Sequence, residues 1–143
     1  QTLIKTHKMN RTYHEDHFFI LSKGNNAGKP LDKPCPNCFV VISNCPQEKE
    51  ALYWLCFGLW QCRYFEPYLT GSVIPFLRLP ELKSIIRETR SKIGSCMEEY
   101  QKAINTLNKL QEYRQSILNQ MKLIDQAKKS LMWKLPDNKL KTD

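Results

Sequence analysis

The sequence contains one cysteine pair and one histidine-rich segment whose residue types suit a metal ion. Cys35 and Cys38 form a C-x-x-C, which is the spacing of half a zinc knuckle. A tetrahedral site needs a second pair, and the later cysteines Cys45, Cys56 and Cys62 do not repeat the spacing. We therefore treat Cys35 and Cys38 as candidate zinc ligands, with small buried thiols beside a proline turn as the favoured interpretation, and expect no cofactor.

The segment His14–His17 also has ligand residue types, since it reads His-Glu-Asp-His. Consecutive residues of an extended chain point to opposite faces, so these four side chains are not expected to converge on one ion. We find no nucleophile set either, because no serine lies in a nucleophile-elbow sequence and no phosphate-binding glycine loop of the Walker type is present. We expect a protein that is not an enzyme.

The segment from Ser22 to Lys29 has the composition of a loop that binds an anion or DNA. Its glycines let a ligand approach the backbone, its asparagines offer paired donors and acceptors, and its lysines supply charge for phosphates. The same composition occurs in plain hairpin connections. The candidate DNA contacts are Lys23, Asn25, Asn26 and Lys29, with Arg63 and Arg78, which lie near aromatic residues, as possible extensions.

Short strands and one helix with a wide apolar face must position this loop. Phe18–Leu21 and Cys38–Ser43 have strand composition, and residues 2–6 are a third candidate. A helix is predicted from Pro46, with Ser43 or Asn44 as its cap, and its apolar band is wide enough to be buried on more than one side. Residues 71–79 read as a strand interrupted by Pro75. We expect an α+β fold with a small mixed sheet and a packed helix.

Composition limits the class of protein. The chain has 143 residues, 22 Lys+Arg against 14 Asp+Glu, a net charge of +8, and 41% hydrophobic residues. This is too apolar for a disordered tail, and the longest apolar run, Ala51–Trp60, is shorter than the ~18–20 residues of a membrane span. The first residues lack the apolar core of a secretory signal. We expect a cytoplasmic protein with reduced thiols and no membrane partner.

Proline and aromatic residues divide the chain unevenly. Seven of the eight prolines lie between Pro30 and Pro80, and only three aromatic residues follow residue 80. We therefore expect an aromatic-rich head at residues 1–80, a helical arm at 81–135 and a polar, fraying tail at 136–143.

The arm carries a heptad pattern typical of a coiled coil. After a break expected at Gly94-Ser95, the seam positions from 93 to 131 are mostly apolar, and Arg114 and Lys128 are the charged exceptions. A helix over residues 95–133 would be roughly 58 Å long, more than a small head can cover. The helix at 93–131 therefore needs a partner: a second copy in a homodimer, another protein, or its own first half folded back.

The order of these features resembles one half of a specificity subunit of type I restriction-modification systems. The resemblance rests on the Phe19–Lys29 strand and loop, the Glu50–Phe65 helix, the segment Gly71–Leu82 and the long helix that follows. In that family a recognition domain reads DNA and the helix sets the spacing between half-sites. Three segments also resemble an uncharacterised Bacteroides-type family: His17–Gly24, Pro34–Cys38 and Tyr53–Trp60.

The resemblance implies a non-catalytic DNA-binding protein that dimerises through its C-terminal helix. The head is about half the length of a usual recognition domain and occurs once, so reading paired half-sites implies a homodimer. The alternative is an interaction module, such as an adaptor or inhibitor of a restriction or mobile-element complex, that keeps the scaffold and does not bind DNA.

Overall fold

The computed structural model describes residues 2–141, without the side chains of residues 97 and 136–141. The strands are β1 (Leu3–Thr6), β2 (Asp16–Leu21), β3 (Pro30–Leu31) and β4 (Cys38–Ser43). The helices are α1 (Pro46–Gln61), α2 (Leu79–Ile93) and α3 (Met97–Lys141), with a 3-10 turn at Glu66–Tyr68. The α+β class and the long C-terminal helix are confirmed. The side chains of the expected polar tail lie outside the described residues.

The chain divides into two compact units, Gln1–Ile104 and Asn105–Asp143. The first contains the sheet, α1, α2 and the first turns of α3, and the second is helical as far as Lys141. The division into a head at 1–80 and an arm at 81–135 stays a prediction.

The four strands form one sheet in the order β1-β4-β2-β3, and all three pairings are antiparallel. The expectation of a mixed sheet is therefore wrong. The reason is that each strand is connected to the next by a loop, and no crossover helix joins two strands, as parallel neighbours would require. The strand β3 was not predicted from the sequence, because it is only two residues long and contains a proline.

Side chains alternate across β2 and β4 and are buried on both faces of the sheet. Phe18 and Ile20 pack with the buried side of α1 and α2 in the main core, whereas Phe19 packs with Cys38 and Val40 on the opposite face. The helices contribute the following buried residues to the main core: Leu52, Leu55, Cys56, Leu82, Ile85 and Ile86. Burial of the apolar band of α1 on more than one side stays a prediction.

The predicted N-terminal cap of α1 was wrong. The cap of α1 is neither Ser43 nor Asn44 but Cys45, whose Sγ accepts from the Glu48 N–H at 3.4 Å. Ser43 is unavailable because it ends β4, is buried, and donates its hydroxyl to the Asp16 and Cys45 carbonyls.

Residues 71–79 form no strand. Residues 71–78 form a loop that is linked by two isolated bridges, Thr70 to Phe76 and Lys23 to Phe76, and Leu79 already begins α2. Gly71 has a φ of +100° and Pro75 has no N–H, so this segment cannot continue a ladder. The predicted break at Gly94-Ser95 is confirmed, since α2 ends at Ile93 and α3 begins at Met97.

Candidate DNA-contact site

The loop between β2 and β3 is held in a defined shape by its own backbone. The Leu21 N–H donates to the Lys29 carbonyl at 2.9 Å, and the Gly28 N–H donates to the Leu21 carbonyl at 2.8 Å. A further bond joins the Gly24 N–H to the Pro75 carbonyl at 2.8 Å, which ties the loop to the segment before α2. Gly24 and Gly28 have φ values of +94° and +99°, which favour glycine. These hydrogen bonds and glycine conformations therefore give the loop one defined conformation.

The same loop is anchored to the core through Phe65. This ring is fully buried and lies directly against Gly28, in the space that a Cβ on Gly28 would occupy. Ala27, beside it, is also buried. The contact fixes the position of the exposed Asn25 and Asn26 relative to the end of α1.

The C-terminus of α1 supplies the second side of the site. The Tyr64 N–H donates to the Leu59 carbonyl and the Arg63 N–H donates to the Trp60 carbonyl, which together make a Schellman cap. The residue in the left-handed position of this cap is Arg63, with a φ of 56°, where glycine is usual. A non-glycine residue has a conformational cost there, so the backbone of Arg63 is strained.

An open cavity of about 630 Å³ lies between these two parts. Its walls come from the loop, from the end of α1 and from the residues that follow. They are Asn25, Asn26, Ala27, Trp60, Gln61, Arg63, Phe65, Glu66, Leu69 and Pro75. We name this cavity, together with Lys29, the loop site.

Lys29 joins the loop site through Trp60. Its Nζ lies 5.1 Å from the centroid of the Trp60 ring, within the range of a cation–π interaction. The ammonium is thereby held near one face of a half-buried indole that also lines the cavity. The loop site therefore combines three side-chain amides, two cations and one indole, and the Glu66 carboxylate is the acid on its wall.

The loop site unites four of the six predicted DNA contacts: Asn25, Asn26, Lys29 and Arg63. Lys23 is exposed and its backbone bridges to Phe76, next to the cavity-lining Pro75. Arg78 does not line the cavity, because its guanidinium pairs with the Glu81 carboxylate at the start of α2. That hydrogen bond raises the pKa of Arg78.

Sequence reasoning missed Trp60, Gln61 and Glu66. Trp60 appeared as one residue of an apolar helix face, and the available signal was its place in the last turn of α1, where an amphipathic indole can be half-exposed. Gln61 and Glu66 carry no signal in the sequence.

In the cysteine pair, Cys38 is buried and Cys35 is partly buried. The Cys38 Sγ donates to the Cys35 carbonyl at 3.1 Å, and burial raises the pKa of Cys38 to about 11. Among the residues that the structure describes, no group of three or more His, Cys, Asp or Glu side chains is placed to hold a metal ion. All six cysteines are free thiols.

In the His14–His17 segment, His17 contacts the backbone and two aromatic rings. The Nδ1 of His17 lies 2.7 Å from the Glu15 carbonyl, and its ring packs against Tyr13 and Phe19.

Within residues 2–141, no helix combines the length and apolar composition that crossing a bilayer requires.

A comparison with known protein families shows to which family the chain belongs. The sequence model of a family of unknown function, DUF6943, matches residues 4–134. The chain belongs to the DUF6943 family. No curated protein and no solved structure matches this DUF6943 chain. The resemblance to an uncharacterised family is thereby confirmed, whereas nothing in these comparisons links the chain to restriction specificity subunits.

Proposed function

We propose that this DUF6943 chain is a non-catalytic DNA-binding protein whose loop site contacts DNA and whose C-terminal helix pairs with a partner helix. In this proposal it is a reduced counterpart of a restriction specificity subunit. The observation that carries the proposal is the convergence of Asn25, Asn26 and Arg63 on one open cavity, with the Lys29 ammonium near the ring of Trp60 in its wall. These residues come from two distant parts of the chain.

The side-chain chemistry of the loop site suits DNA. An asparagine amide can donate and accept at the edge of an adenine, and a guanidinium can donate two hydrogen bonds to the O6 and N7 of a guanine or bind a phosphate. Lys29 supplies a second cation for the backbone, and the ordered glycine loop allows close approach. The net charge of +8 favours a polyanionic partner in general, without selecting the loop site.

A titration of labelled mixed-sequence duplex DNA by fluorescence anisotropy tests the proposal. Affinity should fall steeply between about 50 and 200 mM salt, because neutralised phosphates release counterions. Lys29→Glu and Arg63→Gln should each weaken binding by about tenfold or more and lower the salt slope by about 1.

Lys122→Glu is the matched control, since it makes the same charge change on an exposed position of α3, far along the sequence from the loop site. An equal loss from Lys122→Glu would show that only net charge attracts DNA. Absence of binding at the lower salt would overturn the proposal.

The second candidate function is an adaptor or inhibitor module of a restriction or mobile-element complex. It is favoured by the exposed apolar residues of α3, which suit a protein partner. The double change Lys23→Glu and Lys29→Glu separates the two functions: an interaction through the helix survives it, whereas DNA binding does not.

A further inference from the structure

The second unit carries a row of large apolar side chains that are accessible in the single chain. Leu110, Ile117, Met121, Ile124 and Leu131 are each more than half exposed. Together with Arg114 and Lys128 they occupy positions that are alternately four and three residues apart, so they lie along one face of the helix. Leu118 and Met132 flank this row and are exposed too. Burying such a face is the usual driving force for helix pairing.

Two cations interrupt this row and decide which orientation of a second helix fits. Arg114 and Lys128 occupy seam positions between the apolar residues, and both are exposed. In a parallel pair of identical helices, equal positions meet. Arg114 would then face Arg114 of the second copy, and Lys128 would face Lys128. Two like-charge contacts inside an apolar seam oppose that arrangement.

We infer that the second unit pairs with the same segment of a second copy in the antiparallel direction, about a two-fold axis level with Asn119. Residues equally far from Asn119 on either side then come level. Arg114 lies beside Ile124 of the second copy, and Lys128 lies beside Leu110. Each cation is therefore separated from its counterpart and can extend its charged end past an aliphatic neighbour to solvent.

The same register supplies an apolar centre and an acidic partner. Ile117 of each copy comes level with Met121 of the other, and Leu118 lies close to the axis in both. Arg114 meets not only Ile124 of the second copy but the adjoining Asp125, whose carboxylate is exposed and opposite in charge. Charge complementarity and apolar burial thus favour one orientation.

This inference rests on the proposed pairing of the helix and adds the partner, a second copy, and its direction. In an antiparallel pair the two Asn105 residues, where the second units begin, are separated along the axis by about 42 Å. In a parallel pair they are side by side. The direction of pairing therefore decides whether the two Asn105 residues lie far apart along the axis or side by side.

Spin-label distances by double electron–electron resonance distinguish the two directions. The background replaces by serine the four cysteines that are not buried: Cys35, Cys45, Cys62 and Cys96. A label at Ser130→Cys should give an axial separation of about 33 Å in the antiparallel pair, because Ser130 lies eleven residues beyond the axis. A label at Asn119→Cys should give a short distance in either direction, and so reports pairing alone.

The outcomes separate failure of the inference from failure of the proposed function. Short distances at both labels would overturn the antiparallel direction and leave dimerisation standing. A monomer in sedimentation at the labelling concentration, with no distance at either label, would overturn pairing with a second copy, while DNA binding by the loop site is measured independently.

A charge reversal provides a second test with its own control. Asp125→Lys places a cation beside Arg114 of the second copy and should weaken dimerisation by about three- to tenfold in sedimentation equilibrium. Glu112→Lys makes the same change two residues from the seam position Leu110, on the outward face, and should leave the dimer unchanged. Equal effects from the two variants would count against the register.

Discussion

Gly28 lies so close to Phe65 that a Cβ on Gly28 would overlap the Phe65 ring at its Cδ2 atom. The φ of Gly28 is +99°. Gly28 must therefore both adopt a left-handed backbone conformation and lack a side chain. These two properties allow the loop between β2 and β3 to pack against the core.

We expect Gly28→Ala to lower the free energy of unfolding by about 2–4 kcal/mol, because it adds overpacking against a buried ring to the backbone cost. Gly24→Ala is the matched control: its φ is +94°, but nothing lies within 4 Å of the added Cβ. It should cost about 1 kcal/mol. Urea unfolding of both variants measures the difference, and equal losses would contradict the packing role of Phe65.

Arg63 should trade stability for binding. Arg63→Gly relieves the left-handed position of the α1 cap, so we expect about 1 kcal/mol more stability together with weaker binding of duplex DNA. Asn10→Gly is the control, since Asn10 also has a positive φ, of 66°, and does not line the loop site. It should gain less stability, because asparagine tolerates this region better, and leave DNA affinity unchanged. Unfolding curves and anisotropy titrations on the same samples test both effects.

Tyr100 connects the first turn of α3 to α1 within the first unit. Its hydroxyl donates to the Ala51 carbonyl at 2.7 Å, and burial raises its pKa to about 12. Tyr100→Phe should lower the free energy of unfolding by about 1 kcal/mol through loss of this bond. Tyr113→Phe makes the same change at a residue that is 69% exposed and should have no measurable effect. A Tyr100→Phe protein as stable as the native chain would show that this bond adds nothing.

Cys56 should make the first unit less stable in alkali. It is fully buried, and this burial raises its pKa from 9.0 to about 12. Above pH 9 the unfolded thiol loses its proton while the folded thiol keeps it, so the unfolded state gains stability as pH rises towards 12. The free energy of unfolding should therefore fall by about 1.4 kcal/mol per pH unit from this group.

The comparison is between Cys56→Ala and Cys62→Ala, measured by urea unfolding from pH 8 to pH 10.5. Cys56→Ala should have a shallower alkaline slope, although it is less stable at neutral pH because of the cavity it creates. Cys62 is exposed, so its variant should keep the native slope. Identical slopes in the two variants would show that Cys56 does not titrate in this way.

The order of residues along the chain was sufficient to predict several elements. The strand pattern of Phe18–Leu21 and Cys38–Ser43, the proline-started helix α1, and the break at Gly94-Ser95 are all local signals, and the structure contains each of them. The local pattern failed where a neighbour decided the outcome. Ser43 could not cap α1 because it is committed to β4, and residues 71–79 could not form a strand beside the turn at Gly71.

By itself, the sequence determined the α+β class, the long helix with its charged interruptions, and the candidate residues of the loop, because periodicity and turn chemistry depend on neighbours in the chain. Only the tertiary structure decided that the sheet is antiparallel throughout, that Arg63 takes a glycine-like conformation, and that it shares a cavity with Asn25, Asn26 and Trp60. These features depend on contacts such as Gly28 with Phe65, between residues far apart in sequence, which no local pattern encodes.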